Sequence, residues 1–439
     1  MSETLAYYAD EAKQLPLPQQ GLPNWWKAIR EMGLQYCQVH GFPTRHDEDW
    51  KYTPFQTFLE KNFQHAQLHR SSTQKPYQST GCADKHAGYL ECAVVDGHVI
   101  GLEEIKLQLP DGVQVFPLAH LPQTYAVFLQ QYSEQLTPSA NAFHALNAAL
   151  FSDGIFIYVP EGVRCDKPIV IKNRQRNHQQ AVYLRHMVIL EKNASLVLIE
   201  DYAGDADVTY FTNTITQIYL NARAKLIHYK TQRESMQACH FSDVLVRQQG
   251  ESSEFASHVV SLGAQWARSD IRIDLLAENA QCLLNGIYLP NDQQYVDHHT
   301  VIHHKVSHCM SKQDYKGIVG GVAQAVFNGQ VHVAHAAQKT QASQQNKNIL
   351  LTPQATVNTK PQLEIFADDV VCAHGATVGF LDQDTLFYLV SRGLDAETAK
   401  RYLIQAFVAN NLTMLDDKGM QDWVIKLIDQ KLLTPSLES

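Results

Sequence analysis

A cysteine and a histidine near the C-terminal end of the sequence have the spacing of a ligand pair. Cys372 and His374 are separated by one residue. In a β-strand, residues i and i+2 point to the same face, so the sulfur and the imidazole could converge on one metal ion or cluster. A nearby imidazole also favours the thiolate form of cysteine. Because a Cys-x-His pair is short, the surrounding sequence has to decide whether these two residues form a site.

A second group of metal-binding residue types precedes this pair, between His298 and Cys309. Imidazole and thiolate bind iron, zinc and copper, so this group is an alternative metal site and would indicate a metal-dependent enzyme. The competing interpretation is structural, with histidines that are solvated or hydrogen-bonded on a strand face. If the segment is a strand, its side chains alternate between two faces. One face would carry His299, Val301 and His303, and the other His298, Thr300, Ile302 and His304.

The motifs of several common enzyme classes are absent. The sequence contains neither G-x-x-x-x-G-K-[ST] nor G-x-G-x-x-G, the two standard loops that bind nucleotide phosphates. It also lacks the G-x-S-x-G and H-E-x-x-H motifs of common hydrolases. We therefore expect that the chain is not itself an ATPase, and we assign no catalytic residue.

Composition and charge narrow the function further. The 439 residues are 45% hydrophobic and 18% charged, which is typical of a globular protein, and the net charge of −9 provides no electrostatic surface for nucleic acid. The N-terminal residues do not resemble a secretory signal, and no apolar run approaches the length of a membrane-spanning helix. The eight cysteines are scattered without a C-x-x-C pair. These features predict a cytoplasmic protein without membrane contact.

The middle of the chain contains an internal repeat. An apolar residue is followed four positions later by a small residue and then by alternating apolar positions, and copies begin at Tyr158, Leu190, Leu220, Val246 and Leu276. The spacing of these starts gives a period of roughly 30, which with two or three short strands per unit is typical of a β-solenoid. A β-sandwich with accidental regularity is the alternative. The sequence thus predicts a mainly β fold with a right-handed parallel β-helix core.

Helical patterns flank this core at both ends. Apolar residues from Trp25 to Val39 recur at spacings of three and four, which predicts a helix that stops at Gly41. Near the C-terminus, Asp382 and Asp395 are predicted N-caps of two helices, and a third helix is predicted from about 420 to 433. We expect these three helices to pack on the end of the solenoid or to bind a partner. The predicted domains are a helical region with a linker at 1–85, in which 64–85 is the linker, a β-helix core at 86–379, and a helical domain at 380–439.

The segment that contains Cys372 and His374 resembles a known family. Pro361–Gly379 closely resembles the C-terminal hallmark of the SufB/SufD family of iron–sulfur cluster assembly scaffold proteins. The N-terminal segment from Arg45 to Thr53 is similar to the signature of the SufD branch, and the chain length also suits that branch. Upstream segments that agree with the family in order are Tyr315–Gly317, Val326–Gly329, Ala337–Thr340 and Gln345–Asn348.

This resemblance implies a function. It implies a scaffold subunit, not an enzyme, that pairs with a SufB-like paralogue through the ends of their β-helices and binds a SufC-like ATPase through its C-terminal helical domain. A nascent iron–sulfur cluster, or its iron, would be held transiently at the interface by His374 first and by Cys372 second. The sulfur would come indirectly from a cysteine desulfurase system, and reduced flavin is associated with the family complex.

Two further alternatives follow from the same family. A SufB-type scaffold would take up persulfide on an interior cysteine of the solenoid, for which Cys282 and Cys239 are the candidates. The isolated chain could also form a homodimer through the surface that would otherwise meet its paralogue, since exposed strand edges at a solenoid end permit such pairing.

Overall fold

The computed structural model describes residues 3–15, 24–54, 56–66, 88–136 and 141–433 of the chain. Most of the predicted linker at 64–85 lies outside the described residues. The helices are α1 Glu3–Gln14, α2 Asn24–His40, α3 Gln56–Leu59, α4 Leu102–Lys106, α5 Gln123–Phe128, α6 Ala142–Leu150, α7 Gln383–Ser391, α8 Ala396–Thr413 and α9 Lys418–Leu433. Short 3₁₀ helices are Glu48–Trp50, Leu118–His120 and Leu129–Leu136.

The described strands alternate between two sheets along most of the chain. They are β1 Gln64–His65, β2 Leu90–Val95, β3 His98–Ile100, β4 Gln114–Pro117, β5 Ile155–Val159, β6 Ile169–Gln175, β7 Gln180–Leu190, β8 Ser195–Gly204, β9 Tyr210–Leu220, β10 Lys225–Arg233, β11 Cys239–Gln248, β12 Glu254–Ser261, β13 Trp266–Leu275, β14 Gln281–Tyr288, β15 Tyr295–His304, β16 Met310–Val319, β17 Gln324–Val333, β18 Gln341–Leu350, β19 Thr356–Ile365 and β20 Val371–Phe380.

The two sheets form a β-solenoid with two strands in each coil. Sheet 1 has the order β19-β17-β15-β13-β11-β9-β7-β5-β4, with β1 beside β7, and sheet 2 has the order β20-β18-β16-β14-β12-β10-β8-β6-β2-β3. From β5 onward, pairing between successive coils is parallel, and each strand lies beside the strand two positions later along the chain. In sheet 1, for example, Cys239 pairs with Trp266, and Gln324 pairs with Thr356. The predicted β-solenoid is confirmed, and these registers agree with the period seen in the sequence.

The small residue of the repeat marks a corner of each coil. Ala194, Ala224 and Ala280 are all fully buried and come just before a strand of sheet 2. The chain reverses direction there through a residue in the left-handed region, where asparagine is tolerated better than most residues. These residues are Asn193 with φ 59°, Arg223 with φ 57° and Asn279 with φ 59°.

The helices cover the outer faces of the two sheets. The N-terminal helices and α6 pack on outward-facing side chains of sheet 1, such as Tyr183 and Phe241. Helices α8 and α9 pack on a stripe of outward-facing residues of sheet 2 that includes Ile199, Tyr229 and Ile287. Helix α7 has no buried residue. The N-terminal helices, α6, α8 and α9, in contrast, contribute buried side chains to the hydrophobic core.

The predicted terminal helices are confirmed, but one expectation about their packing is wrong. Asp382 and Asp395 accept hydrogen bonds from backbone N–H groups in the first turns of α7 and α8, as N-caps do. Helices α8 and α9 lie along the flank of sheet 2 and not on the end of the solenoid. The reason is the stripe of apolar residues, one or more per coil, which would otherwise face water.

One further observation concerns the range predicted as β-helix core. Residues 102–150 contain the helices α4, α5 and α6, and α6 packs against α2 of the N-terminal region.

Within the ranges that the structure describes, no helix has both the length and the apolar character that crossing a membrane requires.

Candidate functional site

Cys372 and His374 lie on β20, the last strand of sheet 2. They pair in register with Ala342 and Gln344 of β18, and both side chains occupy inward-facing positions of the strand. β20 has one hydrogen-bonded neighbour in its sheet, β18, and its second edge is unpaired within the described ranges. The two candidate ligands therefore share a face at the open end of the solenoid, as the spacing predicted.

The two side chains differ in their environment. Cys372 is half-buried and packs against a small apolar cluster that includes Val331 and Ala342. Burial raises the pKa of its thiol, and a backbone hydrogen bond with Ala342 offsets part of that shift. His374 is exposed. The exposed imidazole is accessible as a ligand, and the partly buried thiol becomes a good ligand when it loses its proton.

This pair supplies two donors, which is fewer than an iron ion or a cluster needs. In the part of the chain that the structure describes, no group of three or more His, Cys, Asp or Glu residues is placed to hold a metal ion. Within the described ranges, no further His, Cys, Asp or Glu side chain is placed to complete a metal site at β20, so a second chain is one source of the remaining ligands. The position on an unpaired strand at the open end is accessible to such a second chain.

The histidines of the alternative site alternate between the two faces of β15, as predicted, but they do not converge. On the outer face, His299 pairs with Asp297 at 2.9 Å and His303 pairs with Asp274 at 2.8 Å. On the inner face, His304 forms a 2.8 Å hydrogen bond with Ser311.

Two further members of this group, His298 and Cys309, are buried and have structural environments, whereas His308 is exposed in the turn before β16. His298 is buried between the rings of Tyr288 and Tyr315, and burial lowers its pKa to about 3. Cys309 is buried, and its thiol donates to the carbonyl of Ala277 at 3.4 Å. The geometry therefore favours the structural interpretation of the segment from His298 to Cys309.

Comparison with known proteins identifies the family. The model named "SUF system FeS cluster assembly, SufBD core domain" matches residues 171–407, and the model named "SufBD protein N-terminal region" matches residues 5–171. The chain belongs to the SufBD family. The SufD protein of Escherichia coli is 31% identical over 409 residues, covering 91% of each chain. The chloroplastic protein ABCI7 of Arabidopsis thaliana is 30% identical over 414 residues, or 92% of this chain and 85% of its own.

Both branches of the SufBD family are among the relatives. The SufB protein of Bacillus subtilis is 24% identical over 297 residues, which is 66% of this chain and 62% of its own length. The SufD protein of Escherichia coli matches over a larger share of the chain and at higher identity. The hallmark segment that suggested the family contains all of β20 except Phe380, so the candidate ligands lie in the part of this SufBD protein that carries the resemblance.

The SufD-like signature near the N-terminus docks on sheet 1. Arg268 of β13 lies over the ring of Trp50, 3.5 Å from its centroid, and donates to the backbone carbonyl of Asp49 at 2.8 Å. Thr53 donates to Asp297 of β15 at 2.9 Å. These contacts join residues that are far apart in the sequence, so the signature attaches the N-terminal region to the solenoid core.

Sequence reasoning did not identify Arg268 as a partner of this signature. The available signal was a charged residue preceded by buried Trp266 and Ala267 in a strand, with Asp270 two positions later on the same face. Such a pattern indicates an ion pair on one strand face, but it does not show which distant segment completes it.

The two cysteines considered as persulfide acceptors are both buried. Cys282 faces the solenoid interior, whereas Cys239 is on the outer face of sheet 1 beneath the N-terminal helices. Burial raises the pKa of Cys239 to about 12 and raises that of Cys282 strongly. Since the thiolate is the nucleophile, neither environment activates sulfur chemistry.

Proposed function

We propose that this SufBD protein is a non-ATPase scaffold subunit that pairs with a SufB-like paralogue at the open end of its solenoid. A nascent iron–sulfur cluster, or its iron, is bound between the two chains by His374 and Cys372. The observation that carries the proposal is a pair of ligands, too few for a metal site, on a strand whose second edge is unpaired within the described ranges. The remaining ligands would come from the paralogue.

The surface around β20 supports pairing with another chain. Four apolar side chains, two on β20 and two in the segments that flank it in the chain, are 59% to 74% exposed, and apolar surface of this kind is available for contact with another chain. Among the residues that the structure describes, the backbone groups on the second edge of β20 are unpaired and give a partner strand a template for hydrogen bonding. The same edge would allow two copies of this chain to pair when the paralogue is missing. The four residues are Phe366, Val371, Phe380 and Phe387.

The C-terminal helices are the proposed attachment point of a SufC-like ATPase, with residues 380–439 as the binding domain. α7 is exposed, and it begins at Gln383, shortly after β20 ends at Phe380. A force applied to α7 by closure of the ATPase would therefore reach the strand that carries His374 through a very short connection. Movement of β20 would open the interface to iron and to sulfur delivered from a desulfurase system. Reduced flavin, which the family resemblance associates with the complex, has no assigned residue in this proposal.

The substitution His374→Ala tests the ligand role. In the complex with a SufB-like and a SufC-like protein, the variant should retain its assembly and its ATPase activity and should form much less cluster. The control is His335→Ala, which removes an exposed imidazole from the turn after β17. Cluster formation is followed by its visible absorption and acid-labile sulfide.

The outcomes separate the parts of the proposal. A loss of cluster in His374→Ala but not in His335→Ala supports the ligand role. Equal cluster yields in both variants and the unsubstituted complex would contradict it. If the chain fails to form a complex with the SufB-like protein in light-scattering mass measurements, the scaffold role itself is refuted.

A further inference from the structure

Three buried polar side chains form a hydrogen-bonded network inside the last coils of the solenoid. The hydroxyl of Tyr288 donates to Oδ1 of Asn348 at 2.6 Å and accepts from Nδ2 of Asn346 at 3.0 Å. Nδ2 of Asn348 donates to Oδ1 of Asn346 at 2.7 Å. All three side chains are at most 3% exposed. Burial without partners would be costly for each of these groups, so the network stabilises only if it is complete.

A glycine makes this network geometrically feasible. Tyr288 is on β14 and Asn348 is on β18, so the phenol has to pass across the intervening strand β16. It does so at Gly317, where an added Cβ would collide with both the Tyr288 ring and Oδ1 of Asn348. Gly317 and Asn348 belong to two different segments that resemble the family. The structure explains these motif residues as parts of one contact.

The network also reaches the strand that carries the candidate ligands. Nδ2 of Asn348 donates to the backbone carbonyl of Thr377 on β20 at 3.3 Å. Nδ2 of Asn346 donates to the backbone carbonyl of Tyr315 on β16 at 3.2 Å. The side chains thus connect β14, β16, β18 and β20 through the interior, in addition to the ladder hydrogen bonds between adjacent strands.

We propose that Tyr288, Asn346 and Asn348 are positioning residues that hold β20 in place and thereby fix the site formed by Cys372 and His374. This inference rests on the proposed function for its biological meaning, although the effect on β20 can be measured without it. β20 needs such support because it is hydrogen-bonded along one edge only within the described ranges. A strand of this kind is the first to open locally, and an interior anchor reduces that opening.

The test is Tyr288→Phe in the full-length chain, read by amide hydrogen exchange of β20 and by the alkylation rate of Cys372. The substitution removes one hydroxyl and leaves Asn346 and Asn348 each short of a partner. We expect exchange in β20 and alkylation of Cys372 to become about tenfold faster, since an unsatisfied buried group shifts a local equilibrium by about that factor. Exchange in β8, β10 and β12 should change much less.

Tyr183→Phe is the matched control. Tyr183 is also buried, but its hydroxyl has no hydrogen-bond partner among the residues that the structure describes. The same chemical change there should leave the exchange of β20 and the reactivity of Cys372 unaltered. If Tyr288→Phe does not fold, Asn348→Ala provides the same measurement, because it removes the bond to Thr377 directly.

Two results would overturn the inference. One is unchanged exchange in β20 with unchanged Cys372 reactivity, and the other is an equal increase in every coil, which would indicate a purely structural role. The assembled complex separates this inference from the proposed function. If Tyr288→Phe speeds exchange in β20 while both Tyr288→Phe and His374→Ala give normal cluster yields, the positioning role is retained and the proposed site is rejected. If Tyr288→Phe speeds exchange in β20 and both variants give reduced cluster yields, the positioning role and the proposed site are both supported.

Discussion

The buried cation that holds the N-terminal signature gives a quantitative prediction. The guanidinium of Arg268 is 2% exposed and is paired with Asp270 at 2.8 Å and with Asp297 at 3.5 Å. It also covers Trp50 and donates to the backbone of Asp49. The substitution Arg268→Met keeps a side chain of similar length but removes the charge and all five donors.

The expected cost follows from the buried carboxylate of Asp297, which would lose one of its two charged partners and keep His299. Asp297 is fully buried, which alone would raise its pKa, but His299 and Arg268 outweigh burial and lower the pKa to about 2. Removing one partner of a buried ion pair costs about 3–5 kcal/mol. We therefore expect Arg268→Met to lower the free energy of unfolding by an amount in that range.

The same argument predicts a change in acid stability. The folded pKa of Asp297 lies below the value of about 3.9 in an unfolded chain, so its stabilising contribution is complete above about pH 4 and is lost as the pH falls towards 2. Without Arg268, the folded pKa of Asp297 rises, and this contribution shrinks. The variant should begin to unfold at a higher pH than the unsubstituted chain.

Urea unfolding followed by tryptophan fluorescence measures both effects. The control is Arg247→Met, on the same face of sheet 1, where the ion pair with Asp274 has a guanidinium side chain that is 34% exposed. Asp274 would keep His303 as a partner, so this control should cost about 1 kcal/mol or less. Equal, small losses in the two variants would refute the argument that Arg268 anchors the N-terminal region.

Two further predictions concern buried acids and thiols. Both carboxyl oxygens of Asp243 lack a hydrogen-bond partner within the described ranges, and burial together with the charge of Asp270 raises its pKa to about 7. Stability should therefore decrease as the pH rises from about 4 to 7, and Asp243→Asn should abolish this decrease when urea midpoints are compared at about pH 5 and pH 8. For the thiols, peptide mapping after brief iodoacetamide treatment should find Cys372 alkylated well before Cys239 or Cys282, because those two are buried whereas Cys372 is partly exposed. Unchanged pH dependence in the Asn variant, or alkylation of Cys282 as fast as that of Cys372, would contradict the respective argument.

The architecture was predictable because its signals are local and repeated. A small residue such as Ala194 or Ala224 recurs once per coil, and the alternating apolar positions that follow it have the period of a strand. The N-caps Asp382 and Asp395 are equally local signals, since a cap needs only the backbone of the next turn. Each of these predictions depends on residues that are close to one another in the sequence.

The location of the helices could not be predicted in the same way. The amphipathic pattern of α8 shows that one face is buried, but it does not show which surface covers that face. The structure places it against Ile287 and Ile318, which belong to different coils of sheet 2. Those residues form a stripe only after the coils have stacked in register, so the docking site does not exist in any short segment.

For the candidate site, the sequence by itself determined the family, the β-solenoid and the shared strand face of Cys372 and His374, because side-chain direction along a strand follows from spacing alone. Only the tertiary structure decided that the second edge of this strand is unpaired in the part of the chain that is described. It likewise decided that His298, His299, His303 and His304 contact other side chains of the protein. It also decided that Tyr288 reaches Asn348, two coils further along the chain. Contacts of that kind depend on the register between coils, which is the sum of many weak preferences over the whole chain, and no single segment encodes it.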